Sequence, residues 1–154
     1  MSKKVLIANR GEISLRAIRA CKELGLKTVC IYSEGDKELK SLRFSDESVC
    51  VGPADPTKSY LDAPTILSAA DVTGSDAIYP GYGFLAEDHS FAEQCNLSGF
   101  KFIGPSSQTI RQMGDKITAK SIVTKYGIDG VPGYDKELPN NCLLYTSPSP
   151  RDKR

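Results

Sequence analysis

Short apolar runs alternate with stretches of helical periodicity along the sequence, and this alternation constrains the fold more than any other feature. Residues 4–8 (Lys-Val-Leu-Ile-Ala) and 27–32 (Lys-Thr-Val-Cys-Ile-Tyr) are typical of buried parallel strands. Between them, residues 12–24 repeat apolar side chains at spacings of three and four, and Gly25 follows as a C-terminal cap. Such a strand, helix, strand unit requires a right-handed crossover between parallel strands.

The alternation continues to residue 103. The sequence predicts a short helix over residues 34–45, a third strand at 47–51, a helix at 60–72, a fourth strand ending at Pro80, a helix at 90–97 and a fifth strand at 101–103. Further on, Ser106 or Ser107 caps another helix, and Asp115 begins one that runs through Lys125. This order predicts an α/β fold with a doubly wound, mostly parallel sheet.

Charge and composition argue against nucleic acid and membrane partners. The 154 residues carry a formal net charge of +1, with both signs interspersed. The aliphatic runs are too short to span a bilayer, and Asn9, Arg10 and Glu12 interrupt the first of them before it could form the apolar part of a signal peptide. We expect a cytoplasmic protein, with a plastid or mitochondrial location left open.

The cysteines and the single histidine do not form a metal-binding pattern. There are five scattered cysteines without a Cys-x-x-Cys pair, and His89 has no partner at ligand spacing, so no zinc site is predicted and His89 is expected to be exposed. Apolar surroundings predict that the first four cysteines are small buried side chains. These are Cys21, Cys30, Cys50 and Cys95.

A glycine-rich loop follows the fourth strand. We call residues 80–84, Pro-Gly-Tyr-Gly-Phe, the glycine loop. Its two glycines permit positive φ angles and close approach of a ligand to the backbone, while Tyr82 projects between them. Such loops lie at the carboxyl ends of strands, where open α/β sheets form crevices. The alternative is that the loop only turns the chain while Phe84 and Leu85 fill the core, and the sequence leaves both interpretations open.

Residues 81–86 also match the dinucleotide-binding pattern G-x-G-x-x-A. That pattern belongs in the first strand-to-helix turn, which here reads Ala-Asn-Arg-Gly-Glu over residues 8–12 and lacks it. Where the pattern requires an acidic residue after the next strand, the chain has Gly104-Pro105-Ser106. A nicotinamide or flavin enzyme is therefore disfavoured.

Charged residues at three places are candidates for ligand or subunit contacts. Lys116 stands at the start of a predicted helix, where its charge and the helix amides suit phosphate oxygens, although a solvated surface lysine is the alternative. Arg10 and Glu12 follow the first strand, either as ligand groups or as an ion pair. The polar side of the first helix faces either solvent or a second protein chain, and it carries Arg16, Arg19 and Glu23.

Four long motifs occur in fixed order along the chain. They are residues 7–13 (Ile-Ala-Asn-Arg-Gly-Glu-Ile), 19–25 (Arg-Ala-Cys-Lys-Glu-Leu-Gly), 77–85 (Ala-Ile-Tyr-Pro-Gly-Tyr-Gly-Phe-Leu) and 113–116 (Met-Gly-Asp-Lys). Together they resemble the N-terminal part of biotin carboxylase, with no evident gap from Lys3 to Asn140. The resemblance extends to the biotin carboxylase subunit of acetyl-CoA carboxylase and to the matching regions of pyruvate, propionyl-CoA and methylcrotonyl-CoA carboxylases.

The resemblance implies three segments. Residues 1–113 would form the Rossmann-like pre-ATP-grasp domain, and residues 114–141 only the beginning of an ATP-grasp domain. Residues 142–154 fit no continuation of the family, and we expect an artefactual or disordered tail there. The family's lid, metal-binding glutamates and substrate arginines lie downstream, so no catalytic and no metal-binding residue is assigned to this chain.

The resemblance also implies chemistry and partners. The family uses ATP, Mg²⁺ and bicarbonate to carboxylate biotin on a carrier protein, the first half-reaction of acetyl-CoA carboxylase in fatty acid synthesis. By the family motifs, Lys116 contacts ATP, and Tyr82 and Gly83 lie near biotin. The implied partners are the biotin carboxyl carrier protein, the carboxyltransferase and a second copy of the chain. The second copy is expected to be held partly through Arg16, Arg19 and Glu23.

One lysine cannot supply the positioning and charge neutralisation that phosphoryl transfer requires. We therefore expect a truncated fragment that is inactive alone and binds ATP weakly. Two other interpretations stay open. The first is a non-catalytic module that binds a carboxylase partner through the first helix, and the second is the front domain of another ATP-grasp ligase such as carbamoyl-phosphate synthetase.

Overall fold

Five parallel strands form one sheet in the computed structural model, which describes residues 3–128. The strands are β1 (Lys4–Ile7), β2 (Lys27–Tyr32), β3 (Glu47–Cys50), β4 (Ala77–Tyr79) and β5 (Lys101–Phe102), in the order β3-β2-β1-β4-β5. The helices are α1 (Gly11–Glu23), α2 (Ala63–Val72), α3 (His89–Leu97), α4 (Ser107–Gly114) and α5 (Lys116–Lys125). The predicted α/β fold with a doubly wound parallel sheet is confirmed.

Helices cover both faces of the sheet. Successive strand residues point to opposite faces, so Leu6 and Ile7 of β1 belong to two different apolar clusters. Ile7 lies in the cluster that contains Ile18 of α1, whereas Leu6 lies in the larger cluster that contains Ile66 of α2 and Phe91 of α3. Strands buried on both faces need nearly continuous apolar sequences, which is what residues 4–8 and 27–32 provide.

Local capping explains where several helices begin and end. Gly25 after α1 and Gly74 after α2 have φ angles of +67° and +63°, the left-handed conformation of a glycine that closes a helix. Of the two candidate caps of α4, Ser106 is the one that acts, because its Oγ accepts a hydrogen bond from the Thr109 amide at 3.1 Å.

The helix predicted over residues 34–45 is wrong. The segment instead forms two 3-10 turns, Glu34–Asp36 and Lys40–Phe44. The amide of Glu34 donates to the carbonyl of Gly52 at 2.9 Å, so the start of the segment is bound to the loop after β3 rather than to its own next turn. Tertiary hydrogen bonding here overrides a weak helical pattern.

The helix predicted from residue 60 begins three residues later, at Ala63. Tyr60 lies before the helix and is fully buried, with 1% of its surface exposed. Pro64 occupies the first turn, a position that proline favours because the amide there needs no partner within the helix.

Two predictions about individual side chains are also wrong. Cys50 is exposed, because β3 is an edge strand, whereas Cys21, Cys30 and Cys95 are buried as predicted. Burial raises the pKa of the Cys30 and Cys95 thiols to about 12, which keeps them protonated and unreactive. His89 is half-buried rather than exposed, and its Nδ1 atom is enclosed without a hydrogen-bond partner among the described residues.

Contacts divide the chain into two compact units, Met1–Arg111 and Gln112–Arg154. The first unit holds the whole sheet with α1, α2 and α3. In the second unit the structure describes residues 112–128. Within the predicted ATP-grasp segment, residues 114–141, the main described element is α5. The predicted tail at 142–154 lies outside the described residues. Across residues 3–128, every helix is too short or too polar to cross a membrane.

We expect a chain that ends at Gly114 to fold by itself, because it keeps all five strands and both apolar clusters. Its thermal unfolding should be one cooperative transition, with equal calorimetric and van't Hoff enthalpies. A chain that ends at Ser98 is the control, since it loses β5 and the buried Phe102 and should unfold broadly. A broad transition in the longer chain would contradict the expectation.

Candidate functional site

The strand order creates a crevice between β1 and β4. These strands are neighbours, but the chain leaves β1 towards β2 and leaves β4 towards β5, in opposite directions across the sheet. The helices that follow them therefore lie on opposite faces, so the two loops lead away from the sheet in opposite directions. Open parallel sheets bind ligands at this point. Here the loops are residues 8–10 and the glycine loop.

Asn9 connects the two loops. Its side chain is buried, and Nδ2 donates to the carbonyl of Pro80 at 2.7 Å and to the carbonyl of Tyr82 at 2.9 Å. Its Oδ1 accepts a hydrogen bond from the amide of Arg10 at 2.9 Å. Both donor hydrogens and the acceptor of the carboxamide are therefore satisfied.

The glycine loop has an unusual backbone. Gly81, Gly83 and Phe84 have φ angles of +71°, +64° and +45°, and Phe84 is the one non-glycine residue with positive φ in the described chain. A Cβ atom on Gly81 would lie 2.8 Å from Nδ2 of Asn9, whereas a Cβ on Gly83 would meet nothing within 4 Å. Tyr82 projects from the loop with 67% of its surface exposed. The loop thus combines a tightly enclosed glycine with an open one beside an exposed aromatic ring.

Tyr60 supports the far end of the glycine loop. Its ring stacks on Phe84, with centroids 5.4 Å apart. Its hydroxyl accepts a hydrogen bond from the Ser33 amide at 3.0 Å and donates to the Asp36 carboxylate at 2.8 Å. Burial raises the pKa of Tyr60 to about 12, so the phenol stays neutral and remains a donor. The Arg10 guanidinium lies 5.8 Å from the centre of the same ring.

The structure answers two questions that the sequence leaves open, one about Arg10 and one about the glycine loop. Arg10 forms an ion pair, and its partner is Asp36 at 3.4 Å rather than Glu12. Phe84 and Leu85 pack in or against the larger apolar cluster. The glycine loop therefore both fills the core and presents an exposed side chain, so the two interpretations of this segment are compatible.

The predicted interface residues Arg16, Arg19 and Glu23 are all exposed on α1. They line one shallow groove, which we call the α1 groove, and its other lining residues are Glu12, Leu15 and Ala20. The groove carries two basic groups, Arg16 and Arg19, between two acidic groups, Glu12 and Glu23, along a single helix. A surface with both signs of charge can pair with a copy of itself, because a shift of one copy along the helix brings acidic groups opposite basic ones.

Lys116 is the first residue of α5, in the second unit, and its side chain is exposed. The preceding Asp115 caps the helix, accepting hydrogen bonds from the Ile117 amide at 3.0 Å and the Thr118 hydroxyl at 2.6 Å. The bond from the Thr118 hydroxyl, with that from the Ile117 amide, lowers the pKa of Asp115 below its usual value. The carboxylate of Asp115 already binds the amides at the start of α5. The ammonium group of Lys116 is therefore the main group at this helix end that could attract a phosphate.

Sequence reasoning did not single out Asn9, Tyr60 or Asp36 as parts of a site. A weak signal exists for Asn9, since a polar residue directly after a buried strand is typical of a ligand-facing loop. No local pattern could identify the other two, because the bond between Tyr60 and Asp36 joins residues 24 apart in sequence. The structure brings Tyr82 and Gly83 to the crevice, and it gathers the three interface candidates in the α1 groove.

The family profile described as "Biotin carboxylase, N-terminal domain" matches residues 1–110. The chain belongs to this family. The biotin carboxylase of Pseudomonas aeruginosa is 58% identical over 141 residues, which are 92% of this chain and 31% of that protein. A pyruvate carboxylase subunit of Methanothermobacter thermautotrophicus is 48% identical over 136 residues, or 88% of this chain and 28% of that protein. The resemblance stated from the motifs is confirmed.

Solved structures of the family have the same fold. The biotin carboxylase domain dimer of Hydrogenobacter thermophilus 2-oxoglutarate carboxylase, in complex with MgADP, ADP and bicarbonate, is similar to this chain with a TM-score of 0.83 and 47% identity. The match covers 88% of this chain and 30% of that one. The chain thus spans about a third of the length of these family members.

We expect Gly81→Ala to destabilise the protein more than Gly83→Ala. Both substitutions place a Cβ on a backbone with positive φ, which costs on the order of 1–3 kcal/mol, and at Gly83 a ψ of −165° adds to the preference for glycine. Only at position 81 does the new atom also collide, with Asn9 at 2.8 Å and Ile13 at 3.0 Å, and overpacking adds on the order of 1–3 kcal/mol. Urea unfolding of both variants measures the difference, and equal losses of unfolding free energy would contradict the steric argument.

Proposed function

We propose that this chain supplies the N-terminal domain of an ATP-dependent biotin carboxylase, a ligase that carboxylates biotin on a carrier protein with bicarbonate. The observation that carries the proposal is the family match over residues 1–110, which includes both loops of the crevice. Because the chain spans 31% of its Pseudomonas aeruginosa relative, we assign the activity to a whole protein of that length. These residues alone are proposed to be inactive.

The relatives differ in the compound that they carboxylate, since they include pyruvate and propionyl-CoA carboxylases. We propose the acetyl-CoA carboxylase branch, and with it a role in fatty acid synthesis. In support, three relatives named simply biotin carboxylase are 55% to 58% identical, while the pyruvate and propionyl-CoA carboxylases and the biotin carboxylase of a Nostoc species are 48% identical. The carrier protein and the carboxyltransferase are the corresponding partners.

The family motifs suggest each proposed ligand contact, and the geometry of the residue supports it. The exposed ring of Tyr82 and the open space at Gly83 form a surface against which the planar ureido ring of biotin could pack. The ammonium group of Lys116 would contact phosphate oxygens of ATP. Mg²⁺ would neutralise phosphate charge, but residues 3–128 offer no group of three or more His, Cys, Asp or Glu side chains to hold it. We therefore assign these residues no step through the metal.

A hybrid enzyme tests the proposed function. In it, the matching stretch of the Pseudomonas aeruginosa biotin carboxylase is replaced by this chain's own residues, which are 58% identical to it. We expect the hybrid to release ADP in a reaction that needs bicarbonate and is stimulated by biotin, while the 154-residue chain alone shows no turnover and no micromolar ATP binding by calorimetry. A folded hybrid without biotin-stimulated ADP release would contradict the function, and micromolar binding by the chain alone would contradict its incompleteness.

In the hybrid, Lys116→Gln should raise the KM for ATP about ten- to hundredfold, because a hydrogen bond to a charged phosphate contributes about 1.5–3 kcal/mol. Lys125→Gln is the matched control, since Lys125 is an exposed lysine at the other end of α5. The KM for biotin should change little in either variant. Equal effects of the two substitutions on the KM for ATP would refute the role of Lys116.

We also propose that the α1 groove is a contact between two copies of the protein, since the related Hydrogenobacter thermophilus domain is a dimer. Replacing both Arg16 and Arg19 by Glu leaves a groove lined by acidic groups, which repel across a two-fold interface. We expect the dimer dissociation constant of the hybrid to rise at least about tenfold by analytical ultracentrifugation. Lys37→Glu, an exposed charge reversal outside the groove, should leave it unchanged.

A further inference from the structure

The backbone pairing between β1 and β4 stops immediately before the glycine loop. Its last hydrogen bond runs from the Ala8 amide to the Tyr79 carbonyl at 2.8 Å. In this register the next bond of the ladder would run from the Gly81 amide to the Ala8 carbonyl, and it is not formed. Residues 80–82 form no backbone–backbone hydrogen bond with any other described residue. Residues 80–82 therefore leave the sheet without hydrogen bonds to the main chain.

We infer that Asn9 is a positioning residue that holds the glycine loop in the conformation in which Tyr82 is presented. Its carboxamide takes the place of the missing backbone bonds, because Nδ2 binds the carbonyls of Pro80 and Tyr82 and so spans Gly81. A reversed amide would place Oδ1 against those two carbonyls and leave the Arg10 amide without its acceptor. One orientation alone satisfies all three bonds.

The backbone of the loop explains why such a support is needed. Gly81 and Gly83 adopt positive φ angles without strain but also without any side chain to fix them, whereas the positive φ of Phe84 persists only where the surroundings determine it. Tyr60 determines the far end by stacking on Phe84, and Asn9 determines the near end. Gly81 packs directly against Asn9, since a Cβ there would lie 2.8 Å from its Nδ2 atom. The exposed ring of Tyr82 is thus carried between two fixed points.

The consequence for biotin rests on the function proposed above, in which Tyr82 lies beside that ligand. Asn9 itself is 3% exposed, and both of its nitrogen-bound hydrogens are used inside the protein. It therefore acts on a ligand through the loop and not by contact. Its loss should loosen the loop while leaving the sheet intact.

The test compares two substitutions of Asn9 in the 154-residue chain. Asn9→Asp keeps the shape and the acceptor but removes both donors, and Asn9→Ala removes the whole amide. In both variants, ¹⁵N relaxation should show the order parameters of Tyr82 and Gly83 falling from about 0.85 to below about 0.6, while Leu6 and Ile78 in the strands stay rigid. Asn96→Ala is the matched control, an exposed asparagine on α3 that should change none of these values.

A loop that is as rigid in both folded variants as in the unsubstituted chain would overturn the inference. Failure of both variants to fold would also overturn it, because Asn9 would then support the whole sheet rather than the loop. In the hybrid enzyme, Asn9→Ala should raise the KM for biotin about tenfold and leave the KM for ATP unchanged. If the unsubstituted hybrid is inactive, that result contradicts only the proposed function. The role of Asn9 is tested separately, by the relaxation measurement on the 154-residue chain.

Discussion

Burial of β1 in the middle of a parallel sheet is the constraint on which the other features depend. Its residues Val5, Leu6 and Ile7 are 3%, 0% and 0% exposed, and β1 pairs with β2 on one side and β4 on the other. A strand enclosed in this way needs helices on both faces, so the crossovers must leave in both directions. The crevice at the carboxyl ends of β1 and β4 is therefore a product of the packing that stabilises the core.

Most of the fold could be predicted because its signals are local. Apolar runs, helical spacing and closing glycines occur within a few residues of one another, and they predicted all five strands and the five α-helices that residues 3–128 contain. The segment at 34–45 could not be predicted, because the bond from Glu34 to Gly52 joins it to a distant loop. Cys50 was misjudged for a related reason, since its exposure depends on β3 being an edge strand.

The candidate site likewise has a part with local sequence signals and a part that depends on contacts between distant residues. The two glycines and Tyr82 could be predicted from their own sequence, because a glycine-rich loop after a strand indicates both a turn and a close approach. The hydrogen bond from Asn9 to the Pro80 carbonyl joins residues 71 apart, so no short pattern reveals it. The role of Tyr60 was hidden because a buried aromatic residue is more often core than support for a loop, and here it is both.

The distance of 2.8 Å between Asn9 and a Cβ at position 81 also has a meaning for the evolution of this domain. A side chain at position 81 needs space that Asn9 and Ile13 occupy, and a smaller residue at position 9 loses the donors that the loop requires. Each change alone therefore costs stability or order of the loop, so a lineage that departs from this pair gains by altering both positions. We expect positions 9 and 81 to covary.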